Sequence, residues 1–110
     1  MTEHSKAAAL QELSQARQDI EKIDNDIVAL LARRLELGHR IAELKRIADL
    51  PILDPTREAA VIRRVTSVAR DAGLPAEAIR EVFWQIVGMS RRAQEEAELR
   101  ARGASKPERS

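Results

Sequence analysis

Residues 16–45 read ARQDIEKIDNDIVALLARRLELGHRIAELK, and the periodicity of this stretch decides the fold. Together with Leu13 just upstream, apolar positions fall at Ile20, Ile23, Ile27, Leu30, Leu31, Leu35, Gly38, Ile41 and Ala42, with charged residues opposite them. Spacings of three and four on one face are the signature of an amphipathic helix. No proline interrupts the pattern from about Lys6 to about Ala48, so it predicts a single helix. At a rise of about 1.5 Å per residue that helix is roughly 60 Å long. A compact chain of about 100 residues has a diameter of only roughly 26 Å. A helix of such length needs a second chain to cover its apolar stripe, which predicts dimerisation before any chemistry is considered.

The segment ADLPILD, residues 48–54, breaks the pattern. Pro51 disfavours helix for Leu50. Asp54 then has the right side chain for an N-cap, and Pro55 stands at the first helical position, where its missing N–H costs nothing. A second helix is predicted to about Asp71, with Ala60, Val61, Val65 and Val68 inward. In DAGLPAEA, residues 71–78, Gly73 suits a C-terminal cap and Pro75 opens the next helix. The third helix is predicted from about Ala76 to Arg100, with Ile79, Val82, Phe83, Ile86, Val87 and Ala93 as its core face. GASKPERS, residues 103–110, has the composition of a disordered tail. The expected architecture is all-α: one long N-terminal helix and two shorter ones, forming a single domain over residues 1–102.

Composition narrows the function. The chain of 110 residues is 44% hydrophobic but only 2% aromatic, so its core is built from Leu, Ile, Val and Ala. Nineteen basic residues against 18 acidic leave a net charge of +1, which makes no electrostatic case for nucleic acid as a partner. Without cysteine there is no disulfide and no thiol nucleophile, which fits the cytoplasm. His4 and His39 are far apart, so no zinc site is expected. No apolar run approaches the roughly 20 residues of a membrane span, and no signal peptide is apparent. A Gly-rich phosphate loop and metal-spaced carboxylates are also missing. An enzyme built from this chain must work with positioned cations and hydrogen-bond donors.

Four groups of residues can supply them. Arg34 interrupts the apolar stripe, and Lys45 follows eleven residues later, within about 20° of the same face and about 16 Å along the axis. Both can be solvated surface residues, or both can serve one pocket. Arg17 sits about 25 Å and 260° away from Arg34 on a straight helix. It is either ordinary surface or part of a site in another subunit. Ser90 and Gln94 are one turn apart on the apolar face of the third helix, where unpaired polar groups cost about 1–3 kcal/mol each. They either make satisfied interhelical hydrogen bonds or face a ligand. Asp54, Arg57 and Glu58, in ILDPTRE (52–58), either start a helix or form one wall of a site.

In order along the chain, the 16–45 stretch, PILDPTRE (51–58) and FWQIVGMSRRAQ (83–94) resemble the all-helical class of chorismate mutases. The resemblance covers about Arg17 to Gln94. It implies an intertwined dimer of three-helix chains that converts chorismate to prephenate on the way to phenylalanine and tyrosine. It implies an isomerase with no cofactor and no covalent intermediate. By motif position it implies that Arg34 and Lys45 bind substrate carboxylates, joined by Arg17 from the partner chain. Lys45 and Gln94 then donate to the ether oxygen, and Glu58 takes the ring hydroxyl with Asp54 beside it. Ser90 helps with the ring carboxylate, and Arg57 lines the pocket. Isochorismate-pyruvate lyases and aminodeoxychorismate mutases share this scaffold and are the nearest alternatives. A non-enzymatic helical dimerisation module is the alternative from another class. No fused catalytic domain is apparent, so a monofunctional protein is expected.

Overall fold

A computed structural model describes residues 5–105 as three helices: α1, Lys6–Ile47; α2, Pro55–Asp71; and α3, Ala76–Ser105. No strand occurs among the described residues. The chain divides into two compact units, the first ending at Arg33 and the second beginning at Arg34.

The first unit is the N-terminal part of α1. Ser5 caps it, its hydroxyl accepting from the amide of Ala8 at 3.1 Å. Gln15 donates to Asp19 one turn on, at 3.0 Å. The large apolar side chains Leu10, Leu13, Ile20, Ile23, Ile27, Val28 and Leu30 are all exposed. Helical propensity alone rarely holds such a segment in water, because most helical stability in proteins comes from packing an apolar face.

The second unit joins the end of α1 to α2 and α3. Each of the first two helices ends in the same turn, with two backbone bonds closing over a left-handed residue. At the end of α1 that residue is Asp49, with φ 58°; Leu50 N–H reaches the Lys45 carbonyl at 2.8 Å and Asp49 N–H the Arg46 carbonyl at 3.3 Å. Aspartate is one of the few side chains that visit this region routinely. At the end of α2 it is Gly73, with φ 73°; Leu74 N–H reaches the Ala69 carbonyl at 2.9 Å and Gly73 N–H the Arg70 carbonyl at 3.0 Å. Between them Asp54 caps α2, accepting from Arg57 N–H at 3.0 Å, with Pro55 directly after it.

Val61, Ile62, Val65 and Val87 form the core, with Phe83 packed against them. The buried face of α2 is Val61, Ile62, Val65, Thr66 and Ala69. Val68, expected inward, is 56% exposed. Its α-carbon direction lies about 100° from the centre of the buried arc, which runs along Ile62 and Ala69. Thr66 can sit in that arc because its hydroxyl donates to the Ile62 carbonyl at 2.7 Å and leaves nothing unsatisfied. Val82 on α3 was also expected inward and is likewise exposed. The buried line of α3 passes through Val87 and Ser90, with Phe83 and Gln94 half-buried on the same line. α3 ends at Ser105 rather than near Arg100, so the first three residues of the expected tail are helical. Residues 106–110 and His4 lie outside the described residues.

Gly73 offers a clean stability test, because a methyl group there meets no atom within 4 Å. Gly73→Ala is expected to cost about 1–2 kcal/mol through left-handed strain alone. Gly73→Asn should cost less, since asparagine tolerates that conformation. Urea denaturation of the three proteins checks the order.

Candidate active site

Within the second unit, the end of α1, the start of α2 and the middle of α3 enclose a cavity of about 480 Å³. Its apolar wall is Leu37, Ile41, Ile52, Val61 and Val87. The polar groups come from three helices. α1 supplies Arg34 and Lys45, eleven residues apart as the helical repeat requires. The α2 cap and first turn supply Asp54, Arg57 and Glu58. α3 supplies Ser90, Arg91 and Gln94.

The helices are tied together through these groups. The Arg34 guanidinium donates from Nη1 to the Ser90 hydroxyl, so α1 meets α3 at the buried serine. Burial and, second, the like charge of Arg64 lower the Arg34 pKa from its usual value. Arginine remains charged under such a shift, and its desolvated cation gains from an anionic guest. Lys45 Nζ donates to the Ile52 carbonyl at 3.0 Å and to Gln94 Oε1 at 3.5 Å, the long end of hydrogen bonding. An ammonium has three donors, so one remains. With Oε1 engaged by Lys45, the Gln94 amide keeps its two N–H donors.

Gln94 also lies over Gly38: a methyl at 38 would sit 3.8 Å from Gln94 Nε2. That is ordinary contact, so alanine fits there, whereas a longer side chain displaces the amide.

Also on the cavity wall, Glu58 Oε1 accepts from Arg91 Nη1 at 2.5 Å. The Glu58 side chain is 17% exposed and that of Arg91 33%. The ionisable lining is thus Arg34, Lys45, Arg57 and Arg91 against Asp54 and Glu58, a surplus of two positive charges. Such a lining suits a small dianion held between helices.

Of the residues singled out in the sequence, Arg34, Lys45, Asp54, Arg57, Glu58, Ser90 and Gln94 all line this one cavity. Arg17 does not. It belongs to the first unit and is exposed. Arg91 is not among the residues singled out in the sequence, although it lines the cavity. Its signal was available: four residues after core Val87, it returns to nearly the same face of α3. Arg64 carries no such signal; its effect on Arg34 arises only from the packing of α2.

A smaller cavity of about 250 Å³ lies between His39, Glu43 and Arg46 of α1 and Glu98 of α3, floored by alanines. Among the described residues no cluster of His, Asp or Glu is arranged to hold a metal ion. No helix among them is long and apolar enough to cross a membrane.

Comparison with known proteins follows the same residues. The chain is 32% identical over 81 residues to a bifunctional chorismate mutase/prephenate dehydratase of Aquifex aeolicus, covering 71% of this chain and 22% of that protein. It is 33% identical over 63 residues to a 4-amino-4-deoxychorismate mutase of Streptomyces venezuelae, covering 57% of this chain and 61% of that one. The chain thus spans about a fifth of the length of the bifunctional relative and less than two thirds of the other. A solved structure of a conserved hypothetical protein from Pyrococcus furiosus matches with a TM-score of 0.61 and 35% identity, covering 83% of this chain and 99% of that one. The sequence model of the family described as chorismate mutase type II matches residues 16–95, which carry Arg17 and every polar residue of the larger cavity. By that match the chain belongs to the chorismate mutase type II family.

Proposed function

We propose that this protein catalyses the rearrangement of chorismate to prephenate, in the cytoplasm and in the supply of phenylalanine and tyrosine. The observation that carries the reading is the convergence of Lys45 and Gln94 from two helices onto one point of a cationic cavity. In the reaction one C–O bond of the ether breaks as one C–C bond forms between the enolpyruvyl methylene and the ring. No group leaves and no proton need be transferred, so neither cofactor nor nucleophile is required.

The substrate is a flexible dianion. Arg34, with Ser90 beside it, clamps one carboxylate and holds the side arm over the ring, so part of the barrier is met by orientation. As the C–O bond stretches, negative charge grows on the ether oxygen. The free N–H donors of Lys45 and Gln94 stabilise that charge more in the transition state than in the substrate. Glu58 accepts from the ring hydroxyl, with Asp54 and Arg57 along the same wall.

Arg17 completes the clamp from a partner chain. Two features support that dimer: the exposed apolar stripe of the first unit, which needs a cover, and the absence of Arg17 from the cavity lining. A second reading, a mutase for 4-amino-4-deoxychorismate, is favoured by the Streptomyces relative. Assaying the purified protein on both compounds, with loss of substrate and appearance of product, separates the two.

Gln94→Ala is expected to lower turnover on chorismate by about two orders of magnitude, the cost of one preorganised donor, with little loss of folding. Gln94→Glu should regain activity at acid pH, where the protonated carboxyl donates again. A flat pH profile for that variant would count against a role at the ether oxygen.

Sedimentation is expected to show a dimer at micromolar concentration; a stably folded monomer there removes the basis for a shared site. Arg17→Ala and Arg34→Ala dimers should each be nearly inactive. Mixing them with subunit exchange makes about half the dimers heterodimeric, each with one intact pocket. Activity then returns to about a quarter of wild type if sites act independently. No recovery, with exchange confirmed, defeats the assignment of Arg17 to the partner's pocket.

A further inference from the structure

The Glu58–Arg91 pair is unusual in one respect: it spends a cation of a dianion-binding cavity on a carboxylate of the same cavity. We infer that Arg91 is a specificity-determining positioning residue, which neutralises Glu58 so that this wall of the cavity selects a neutral hydroxyl over an ammonium group on the substrate ring. The inference rests on the proposed role of Glu58 opposite the ring substituent.

Three observations support it. The contact is close, 2.5 Å between Arg91 Nη1 and Glu58 Oε1, and the carboxylate is the more buried partner. It joins α3 to the first turn of α2, so it fixes the carboxylate in place rather than following it as a surface pair does. Arg91 is itself steadied from behind, with Nε 4.0 Å from Glu95 Oε1 one helical turn on.

The chemistry follows from charge. A carboxylate has two oxygens and about four acceptor positions, so Glu58 can serve Arg91 and still accept from a substrate hydroxyl. A hydroxyl asks only for an acceptor. An amine in the same position is an ammonium near neutral pH, and its advantage at Glu58 is the full charge of an unshared carboxylate. Arg91 removes that advantage, and its own positive charge opposes the ammonium. For the hydroxyl substrate Arg91 has the opposite effect: an unpaired Glu58 would repel the carboxylates of the incoming dianion, and the pairing cancels that repulsion. Chorismate and 4-amino-4-deoxychorismate differ by this one substituent, so the ratio of their kcat/KM values reads the pair directly.

The experiment measures that ratio in wild type, Arg91→Met, Arg91→Lys, Glu58→Gln and the Arg91→Met/Glu58→Gln double variant. Arg91→Met is expected to shift the ratio about tenfold or more toward the amino compound, as for loss of a hydrogen bond between charged groups. It should also raise KM for chorismate more than it lowers kcat. Arg91→Lys keeps the charge and should keep most of the wild-type ratio. In the Glu58→Gln background, Arg91→Met should leave the ratio nearly where Glu58→Gln put it, because the group through which Arg91 acts is already neutral. Generalised damage to the fold lowers both activities together and leaves the ratio alone. Should Arg91→Met not fold, Arg91→Gln carries the same expectation. An unchanged ratio in the folded variant overturns the inference, as does an equal shift with and without Glu58. If wild type turns over neither compound, the proposed function itself has failed; if it turns over chorismate and the ratio does not respond to Arg91, only this inference has.

Discussion

Lys45 donates both to the carbonyl of Ile52, in the chain leading to α2, and to the side chain of Gln94 on α3. One ammonium thereby ties the end of α1 to both of the elements that close the cavity. Its position depends on the turn that follows it. Asp49 reverses the chain in a left-handed conformation, and the backbone closes on the carbonyl of Lys45 itself. Three residues past the reversal, Ile52 presents its carbonyl to the ammonium. The linker between α1 and α2 therefore does more than connect them: it supplies one of the acceptors that orient the cation.

The second constraint is charge. Four cations and two carboxylates around one cavity cannot be a stable interior on their own terms, because desolvated charge is costly unless paired. The structure pairs some of it internally, Glu58 with Arg91 and the Asp54 carboxylate with the α2 N-terminus. Arg34 is left with a neutral serine as its polar partner and with Arg64 as a like-charged neighbour. That surplus of positive charge fits the dianionic substrate proposed for the cavity. The same imbalance explains why the proposed chemistry needs so little else: orientation and a fixed positive field suffice where no bond to the protein is made.

The first unit of α1 poses the opposite problem, apolar surface without a cover. Its stripe from Leu10 to Leu30 is exposed, while its polar face is already served by pairs such as Gln15 with Asp19. The dimer proposed above answers the need for a cover, and the chain that covers the stripe is also the one that would receive Arg17.

The sequence by itself determined the helices and their ends, except that of α3, which runs on to Ser105. Periodicity fixed α1, and Asp54, Pro55 and Gly73 marked the boundaries because caps and left-handed turns depend on one or two local side chains. It also indicated which polar residues share a helix face, since eleven and four residues are whole numbers of turns to within a fraction. It was less able to say where the core lies on each face. Val68 and Val82 are apolar and at helical spacing from core residues, yet lie off the buried arcs and stay exposed, while Thr66 is buried because its hydroxyl bonds within its own helix. Only the tertiary structure decided that Arg91 meets Glu58 and that Arg64 bears on Arg34. Those pairings join residues 33 and 30 positions apart, and nothing in the spacing of either helix can set the distance between two helices.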